Sequence, residues 1–63
     1  MKLLDYLQKK YDIKNDRQLA LKIGFSTPTL SKIRTGKYQV SADMIIAIHE
    51  TFNMSIKDIK ALL

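Results

Sequence analysis

Apolar residues recur at helical spacing in five segments of the chain, separated by short polar stretches. In the first segment, Leu3, Leu4 and Leu7 lie along one stripe that Tyr11 can extend. The predicted helices span 2–10, 16–23, 27–34, about 42–52 and the residues that follow Ser55. The pattern therefore predicts an all-α chain of five short helices.

A tight turn at Gly24 separates the second and third predicted helices. Asn15 is the expected N-cap of the second helix, with Gln18 at the spacing of a capping box. Gly24 can adopt the left-handed conformation that is costly for residues with a side chain, so it ends this helix and turns the chain. Ser26 is the expected cap of the third helix, and Pro28 falls in a first turn whose N–H groups lack helical partners.

The third predicted helix carries a polar face. Leu30 and Ile33 stand at i, i+3 and are expected to point inward. The other side chains are then left largely facing solvent: Thr27, Pro28, Thr29, Ser31, Lys32 and Arg34. A helical hairpin in any small bundle gives the same pattern, so the two helices alone leave a purely structural role open.

Positive charge is concentrated on the same part of the chain. The 63 residues include 11 Lys and Arg and 6 Asp and Glu, for a net charge of +5. Six positive residues and one negative residue lie from Lys14 to Lys37, so this window carries the whole excess. A basic face is typical of a protein that binds a polyanion. The alternative is a solvated cationic surface, which the coincidence with the polar helix disfavours.

The chain also resembles a known family, through a Leu-Ala pair, a glycine turn and a short helix that ends in glycine. The residues concerned are Gln18, Leu19, Ala20, Leu21, Gly24, Leu30, Ser31, Ile33 and Gly36. They resemble the helix-turn-helix of the lambda repressor and Cro family, and the resemblance covers nearly the whole chain. It implies a five-helix, lambda-repressor-like domain with its helix-turn-helix at about 16–34. The implied function is sequence-specific regulation of transcription on double-stranded DNA, as in phage and bacterial repressors.

On this resemblance, the third helix is expected to enter the major groove with its N-terminus first. The candidates for reading base edges are Thr27, Pro28, Ser31 and Lys32. An amine suits the N7 and O6 atoms of guanine, and the threonine methyl and the proline ring suit a thymine methyl. The candidates for phosphate contacts are Lys9, Asn15, Arg17, Ser26, Thr29, Lys37 and Tyr38. Lys9 has an alternative role at the C-terminal end of a helix dipole, and Tyr38 an alternative place over the core edge.

Arg34 departs from the family pattern. The family places an acid there, which pairs with a base at the position of Lys9. With arginine in its place that pair cannot form, so Arg34 needs another partner. Asp5, Asp12, Glu50 and a phosphate are all open alternatives.

Asp16 and Leu21 depart from the pattern as well. The family often has a glutamine that clamps a phosphate at the position of Asp16, and a carboxylate would repel that phosphate, although it suits a helix N-terminus. Leu21 occupies a position where the family prefers a polar residue. We expect it to pack in the core against Tyr6 or Tyr11, with a small exposed patch as the alternative.

The last two helices are expected to complete the core. Ile45, Ile48 and Phe52 form the stripe of the fourth helix, and Met44 and Ile46 widen it. Ser41 is its expected cap and Asn53 its expected end.

The fifth helix presents apolar residues to the core or to a partner. They are Ile56, Ile59, Leu62 and Leu63. Tight binding by so small a module normally needs two copies on the half-sites of a pseudo-palindromic operator. A homodimer through this helix is therefore expected, with a monomer whose core these leucines close as the equal alternative.

Composition excludes several other classes of protein. The chain has no cysteine and one histidine, His49, so we expect neither a metal nor a cofactor, and we expect no enzyme. No segment resembles a signal peptide or a membrane span, which predicts a cytoplasmic protein. We expect one domain over 1–63, either a minimal regulator or a cut-down one. The rival function is that of a protein-binding helical domain, such as an antitoxin or antirepressor, anchored by Leu21, Ile46 and the C-terminal Leu62 and Leu63.

Overall fold

The computed structural model describes all 63 residues, which form five helices and no strand. The helices are α1 (Lys2–Lys10), α2 (Asp16–Ile23), α3 (Thr27–Arg34), α4 (Ala42–Phe52) and α5 (Ile56–Ala61). In space, α2 packs against α3 and α4, and α4 packs against α5. The predicted all-α class and the five-helix order are confirmed.

Side-chain caps begin four of the helices. Asn15 Oδ1 accepts a hydrogen bond from the N–H of Gln18 at 2.9 Å. Ser26, Ser41 and Ser55 accept in the same way from the N–H three residues on. Each cap satisfies one of the backbone donors that a helix N-terminus leaves unpaired. The predicted starts of α2 to α5 are therefore confirmed.

Left-handed residues end two of the helices, as the sequence predicts. Gly24 ends α2 with φ 78°, and Asn53 ends α4 with φ 53°. Asp12, after α1, also has a positive φ of 55°. The connections are consequently short and sharp, which brings α3 directly onto α2.

The core consists of twelve buried residues, all of them apolar. They are Leu3, Leu4, Leu7, Ile13, Leu19, Ala20, Ile23, Leu30, Ile33, Met44, Ile48 and Ile59. Every helix contributes at least one of them, so the core fixes the mutual positions of all five helices. Burial of this apolar surface is the main favourable contribution to folding.

Leu21 and Ile46 lie outside the core, contrary to prediction. Their side chains are 66% and 47% exposed. Each stands two positions after a buried residue, Leu19 or Met44, and a helix rotates by about 200° over two residues. The core face of α2 is formed by Leu19, Ala20 and Ile23, and that of α4 by Met44 and Ile48. The side chains of Leu21 and Ile46 therefore point away from the core. Leu21 therefore has no core role.

The remaining apolar residues of α4 and α5 divide between the core edge and the surface. Ile45 and Phe52 are half-buried, and the Phe52 ring stacks on Tyr11 with centroids 4.5 Å apart. In α5, Ile59 is buried, while Ile56 is 40% exposed and Leu63, beyond the helix, is 55% exposed. The fifth helix thus contributes to the core and also presents apolar surface. None of the five helices has the length and apolar character needed to cross a bilayer.

Candidate nucleic-acid interface

One face of α3 is polar and open to solvent. Thr27, Pro28, Ser31 and Lys32 are all exposed, whereas Leu30 and Ile33 are buried. At 100° per residue, the four exposed residues fall in a sector of about 140°, and the two buried ones point to the opposite side. Because Gly24 turns the chain sharply before it, α3 packs one side on α2 and leaves this whole sector uncovered.

The N-terminus of α3 is held by a small hydroxyl network. Ser26 Oγ accepts from the N–H of Thr29 at 3.3 Å and lies 2.7 Å from Thr29 Oγ1. Pro28 stands in this first turn and lacks an N–H group. The hydroxyls of Ser26 and Thr29 are thus engaged with each other, and the unpaired N–H groups at this end carry the positive end of the helix dipole.

The chain after α3 folds back against the same helix. Gly36 adopts φ 84°, and the N–H groups of Lys37 and Tyr38 both donate to the carbonyl oxygen of Lys32, at 2.8 and 3.2 Å. The Lys32 ammonium lies 5.0 Å from the centroid of the Tyr38 ring and donates to its hydroxyl at 3.4 Å. The loop therefore stands beside the polar face of α3 and contributes Tyr38 to its border.

A cluster of charged residues at the border of the polar face joins three helices. Arg34 on α3 donates to both oxygens of Asp16 on α2, from Nε at 3.1 Å and from Nη2 at 2.8 Å. The same guanidinium donates to Asp5 on α1 at 2.6 Å and to Gln8 Oε1 at 3.2 Å. Gln8 in turn donates to Asp16 at 2.8 Å. One arginine thereby fixes the orientation of α3 relative to both preceding helices.

The contacts in this cluster shift the pKa values of its members. Hydrogen bonds from Arg34 hold the pKa of the Asp16 carboxyl below its ordinary value of 3.8, against a smaller opposing effect of burial. The same partner lowers the pKa of Asp5. The two carboxylates raise the pKa of Arg34, chiefly through the hydrogen bonds to Asp16. All three groups are therefore charged at neutral pH.

This cluster identifies the partners of Arg34, which the sequence left open. Arg34 pairs with Asp5, one of the open alternatives, but its bidentate partner is Asp16, which was not among them. Asp16 is turned toward Arg34 and partly buried, so its charge is compensated within the protein. On α1, Asp5 and Gln8 both contact Arg34, and Lys9 is exposed and forms no ion pair.

Most of the positive charge between Lys14 and Lys37 remains exposed and unpaired after Arg34 has paired with Asp16. Because Arg34 and Asp16 compensate each other, the excess rests on five exposed side chains that form no ion pair. They are Lys14, Arg17, Lys22, Lys32 and Lys37. Lys32 belongs to the polar face of α3, and Lys37 follows it in the loop. Asn15 and Arg17, at the start of α2, are also exposed, with the Asn15 side-chain oxygen engaged in the cap.

The family can now be assigned. The model of the helix-turn-helix family of the Cro/C1 type matches residues 3–59 of the chain. The chain belongs to this family. No curated protein and no solved structure matches it. The family is one of DNA-binding regulators, so α2 and α3 are the two helices of a DNA-binding helix-turn-helix, and the resemblance noted in the sequence is confirmed.

Sequence reasoning missed two features of this helix-turn-helix surface. The Arg34–Asp16 pair joins residues 18 positions apart, and no local pattern predicts such a contact. The charge reversal at Arg34 was the available signal, because a new base requires a new acid nearby. The contact between Lys32 and Tyr38 depends on how the loop folds back at Gly36, which the spacing of residues does not determine.

Proposed function

We propose that this protein is a sequence-specific regulator of transcription that inserts α3 into the major groove of double-stranded DNA. The observation that carries the proposal is the exposed sector of Thr27, Pro28, Ser31 and Lys32, on the side of α3 away from the buried Leu30 and Ile33. An α-helix fits the major groove of B-DNA, where each base pair presents a distinct set of donors, acceptors and methyl groups. A hydroxyl, an amine and small apolar groups on one face suit that readout.

Different residues are proposed to fix the protein on the backbone. Phosphate contacts position a protein on the duplex but carry no sequence information. The proposed contacts are the half-buried Thr29 and six exposed residues: Lys9, Asn15, Arg17, Ser26, Lys37 and Tyr38. Of these, Ser26 and Thr29 stand at the N-terminus of α3, where the helix dipole favours an anion. Such a DNA-binding regulator is expected to act in the cytoplasm.

Two copies are proposed to bind a pseudo-palindromic operator. Half-sites one helical turn apart, about 34 Å, would each receive one α3 helix. Ile56 and Leu63, which are 40% and 55% exposed, support dimerisation through α5. The proposed domain spans the whole of residues 1–63.

Selection of bound duplexes from a random pool tests the proposal most directly. A conserved, two-fold symmetric sequence is the expected result, and recovery of unrelated sequences would refute sequence-specific binding. Titration with salt adds a second criterion. Because the binding surface carries unpaired cations, the binding constant should fall steeply with salt, since each neutralised phosphate releases counterions.

Substitution of two lysines distinguishes base readout from contact with the phosphate backbone. Lys32→Ala should reduce the preference between the selected duplex and its base-pair variants, costing about 1–3 kcal/mol on the preferred base. Lys37→Ala should weaken binding to all duplexes alike and reduce the salt slope by about 1. Fluorescence anisotropy on specific and random duplexes measures both effects. Equal loss on the two kinds of duplex for Lys32→Ala would remove that residue from the readout set.

The exposed apolar residues favour one rival function, a protein-binding domain of the antitoxin or antirepressor kind. Leu21 and Ile46 are available as anchors because neither belongs to the core. The affinity of an apolar protein interface changes little with salt, whereas the affinity for DNA falls steeply as salt rises. Binding to a protein partner that Leu21→Lys abolishes, without any effect on duplex binding, would support the rival.

A further inference from the structure

We propose that Tyr38 is a specificity-determining residue, because it holds the Lys32 ammonium in the position from which that group reads a base. The inference rests on the proposed function and deepens it at the same site. The sequence suggests only a phosphate contact or a place over the core edge for Tyr38. The structure adds a direct contact between its ring and a residue of the polar face.

The contact joins the end of the lysine side chain to the face and the hydroxyl of the tyrosine. Lys32 Nζ lies 5.0 Å from the ring centroid and 3.4 Å from the hydroxyl oxygen. A cation at this distance is attracted by the negative face of an aromatic ring. Lysine otherwise has a flexible four-carbon stem and samples many rotamers, which it must give up when its amine is fixed on a base. A ring that already restricts the amine reduces this cost.

The backbone explains why the ring is found beside Lys32 and not elsewhere. Gly36 turns the chain with φ 84°, and Lys37 and Tyr38 then donate their N–H groups to the Lys32 carbonyl. The Thr35 hydroxyl lies 3.3 Å from the same oxygen and 3.1 Å from the Ser31 carbonyl oxygen, so its one proton serves either of them. The loop is thus attached to Lys32 itself, so the start of the tyrosine side chain has a fixed position relative to the lysine.

The tyrosine is also bounded on the side of the core. Together with Ile33, Val40 and Met1, Tyr38 lines a cleft of about 300 Å³ at the edge of the core. The Tyr38 side chain borders this open cleft and is 51% exposed, so the support that it gives Lys32 depends on the loop hydrogen bonds and on the contact itself, and not on burial of the ring.

The positioning role differs from a phosphate contact in what it does to sequence preference. A lost phosphate contact weakens binding to every duplex alike. A lost support for Lys32 lowers the preference only at the base pair that Lys32 reads, and it has no effect on preference once Lys32 is gone. The two roles can therefore be separated by measuring preference, position by position.

The contact is tested first in the free protein, by NMR. Nuclear Overhauser cross-peaks should join the terminal methylene protons of Lys32 to the Tyr38 ring protons beside the hydroxyl, whereas Lys22, which contacts no ring, should give none. Absence of the Lys32 cross-peaks would overturn the proposal without reference to DNA.

The second test measures preference on duplexes. Dissociation constants are measured on the selected duplex and on duplexes that carry each single base-pair change. The proteins compared are the unsubstituted one, Lys32→Ala, Tyr38→Ala, Tyr38→Phe and the double alanine variant. At the base pairs where Lys32→Ala reduces the ratio of dissociation constants between the changed and the selected duplex, Tyr38→Ala should reduce the same ratio about two- to fivefold. This is the range expected for an exposed cation–aromatic contact. Tyr38→Phe keeps the ring and should retain most of the preference. Tyr38→Ala should add nothing in the Lys32→Ala background.

A matched control is provided by a second tyrosine with a lysine over its ring. Tyr6 on α1 has Lys10 Nζ 6.0 Å from its centroid, away from α3. Tyr6→Ala should leave preference unchanged at every position, and circular dichroism melting checks that each variant is folded.

The outcomes separate this inference from the proposed function. If the unsubstituted protein shows no preference among duplexes, sequence-specific readout is refuted and the role of Tyr38 with it, even where the NMR contact is present. If preference is clear but Tyr38→Ala weakens all duplexes equally, only the positioning role is refuted. The same conclusion follows if Tyr38→Ala lowers preference as much without Lys32 as with it.

Discussion

Replacement of Arg34 by methionine tests the charged cluster that joins α1, α2 and α3. Methionine keeps most of the aliphatic length of the side chain and removes the guanidinium with its four recorded hydrogen bonds. Asp16 then keeps Gln8 as its one recorded side-chain donor. The expected effect is a loss of stability that comes mainly from the two-point contact with Asp16, since Asp5 is largely exposed.

The magnitude follows from the geometry and the exposure of this contact. A shielded hydrogen bond to a charged group contributes about 1.5–3 kcal/mol, and an exposed ion pair about 0.2–1 kcal/mol. The side chains of Arg34 and Asp16 are 28% and 26% exposed, between these two situations. We therefore expect Arg34→Met to lower the free energy of unfolding by about 1–2 kcal/mol at pH 7. In a domain of this size that corresponds to a fall in Tm of roughly 5–15 °C.

The contribution should depend on pH in a defined direction. The pKa values of Asp16 and Asp5 are lower in the folded chain than their ordinary value of 3.8, so the unfolded chain binds protons more readily. The stabilisation is fully present above the unfolded value and is lost as pH falls through the folded values. The difference in stability between the natural protein and Arg34→Met should accordingly shrink between about pH 5 and about pH 2.

Urea denaturation followed by circular dichroism measures the difference across this pH range. Arg17→Met is the matched control, because Arg17 is an exposed arginine of α2 that forms no ion pair, and its replacement should change stability by less than about 0.5 kcal/mol. If Arg34→Met costs no more than Arg17→Met, or if its cost is the same at low pH as at pH 7, the reasoning on this cluster is wrong.

Two further predictions concern residues outside the charged cluster. Leu21→Lys should change the free energy of unfolding by less than about 0.5 kcal/mol because the Leu21 side chain is exposed. Leu19→Ala should lower it by about 2–5 kcal/mol because Leu19 is buried in the core. Equal losses for the two variants in urea titrations would contradict the structure. Asp12→Gly should increase the free energy of unfolding by about 0.5 kcal/mol and so raise Tm slightly. Glycine adopts φ 55° without strain, and its greater conformational entropy in the unfolded chain offsets only part of this stabilisation. A decrease in Tm for Asp12→Gly would show that the aspartate is not strained there.

Local signals in the sequence determined most of the fold. Asn15, Ser26, Ser41 and Ser55 were predicted as caps because a short polar side chain serves the N–H groups of its own first turn, which is a contact within four residues. Gly24 was predicted as the turn because its backbone freedom is a property of the residue itself. The polar face of α3 followed from the positions of two buried residues, because helical periodicity alone separates the two sides.

Other features were decided only when the helices packed together. Leu21 is apolar, yet its place on the far side of α2 excludes it from the core, since the core face had room only for residues in phase with Leu19. Arg34 meets Asp16 and Asp5 because the fold brings the C-terminal end of α3 beside α1 and α2, and residues 18 and 29 positions apart cannot be paired from sequence spacing. Tyr38 meets Lys32, six residues earlier, because Gly36 turns the chain and two backbone N–H groups of the loop bond to the Lys32 carbonyl, a loop path that the spacing of residues does not determine. The sequence determined the helices and their polar sides, since these depend on near neighbours; the tertiary structure decided which charges and rings meet, since that depends on how distant segments cross.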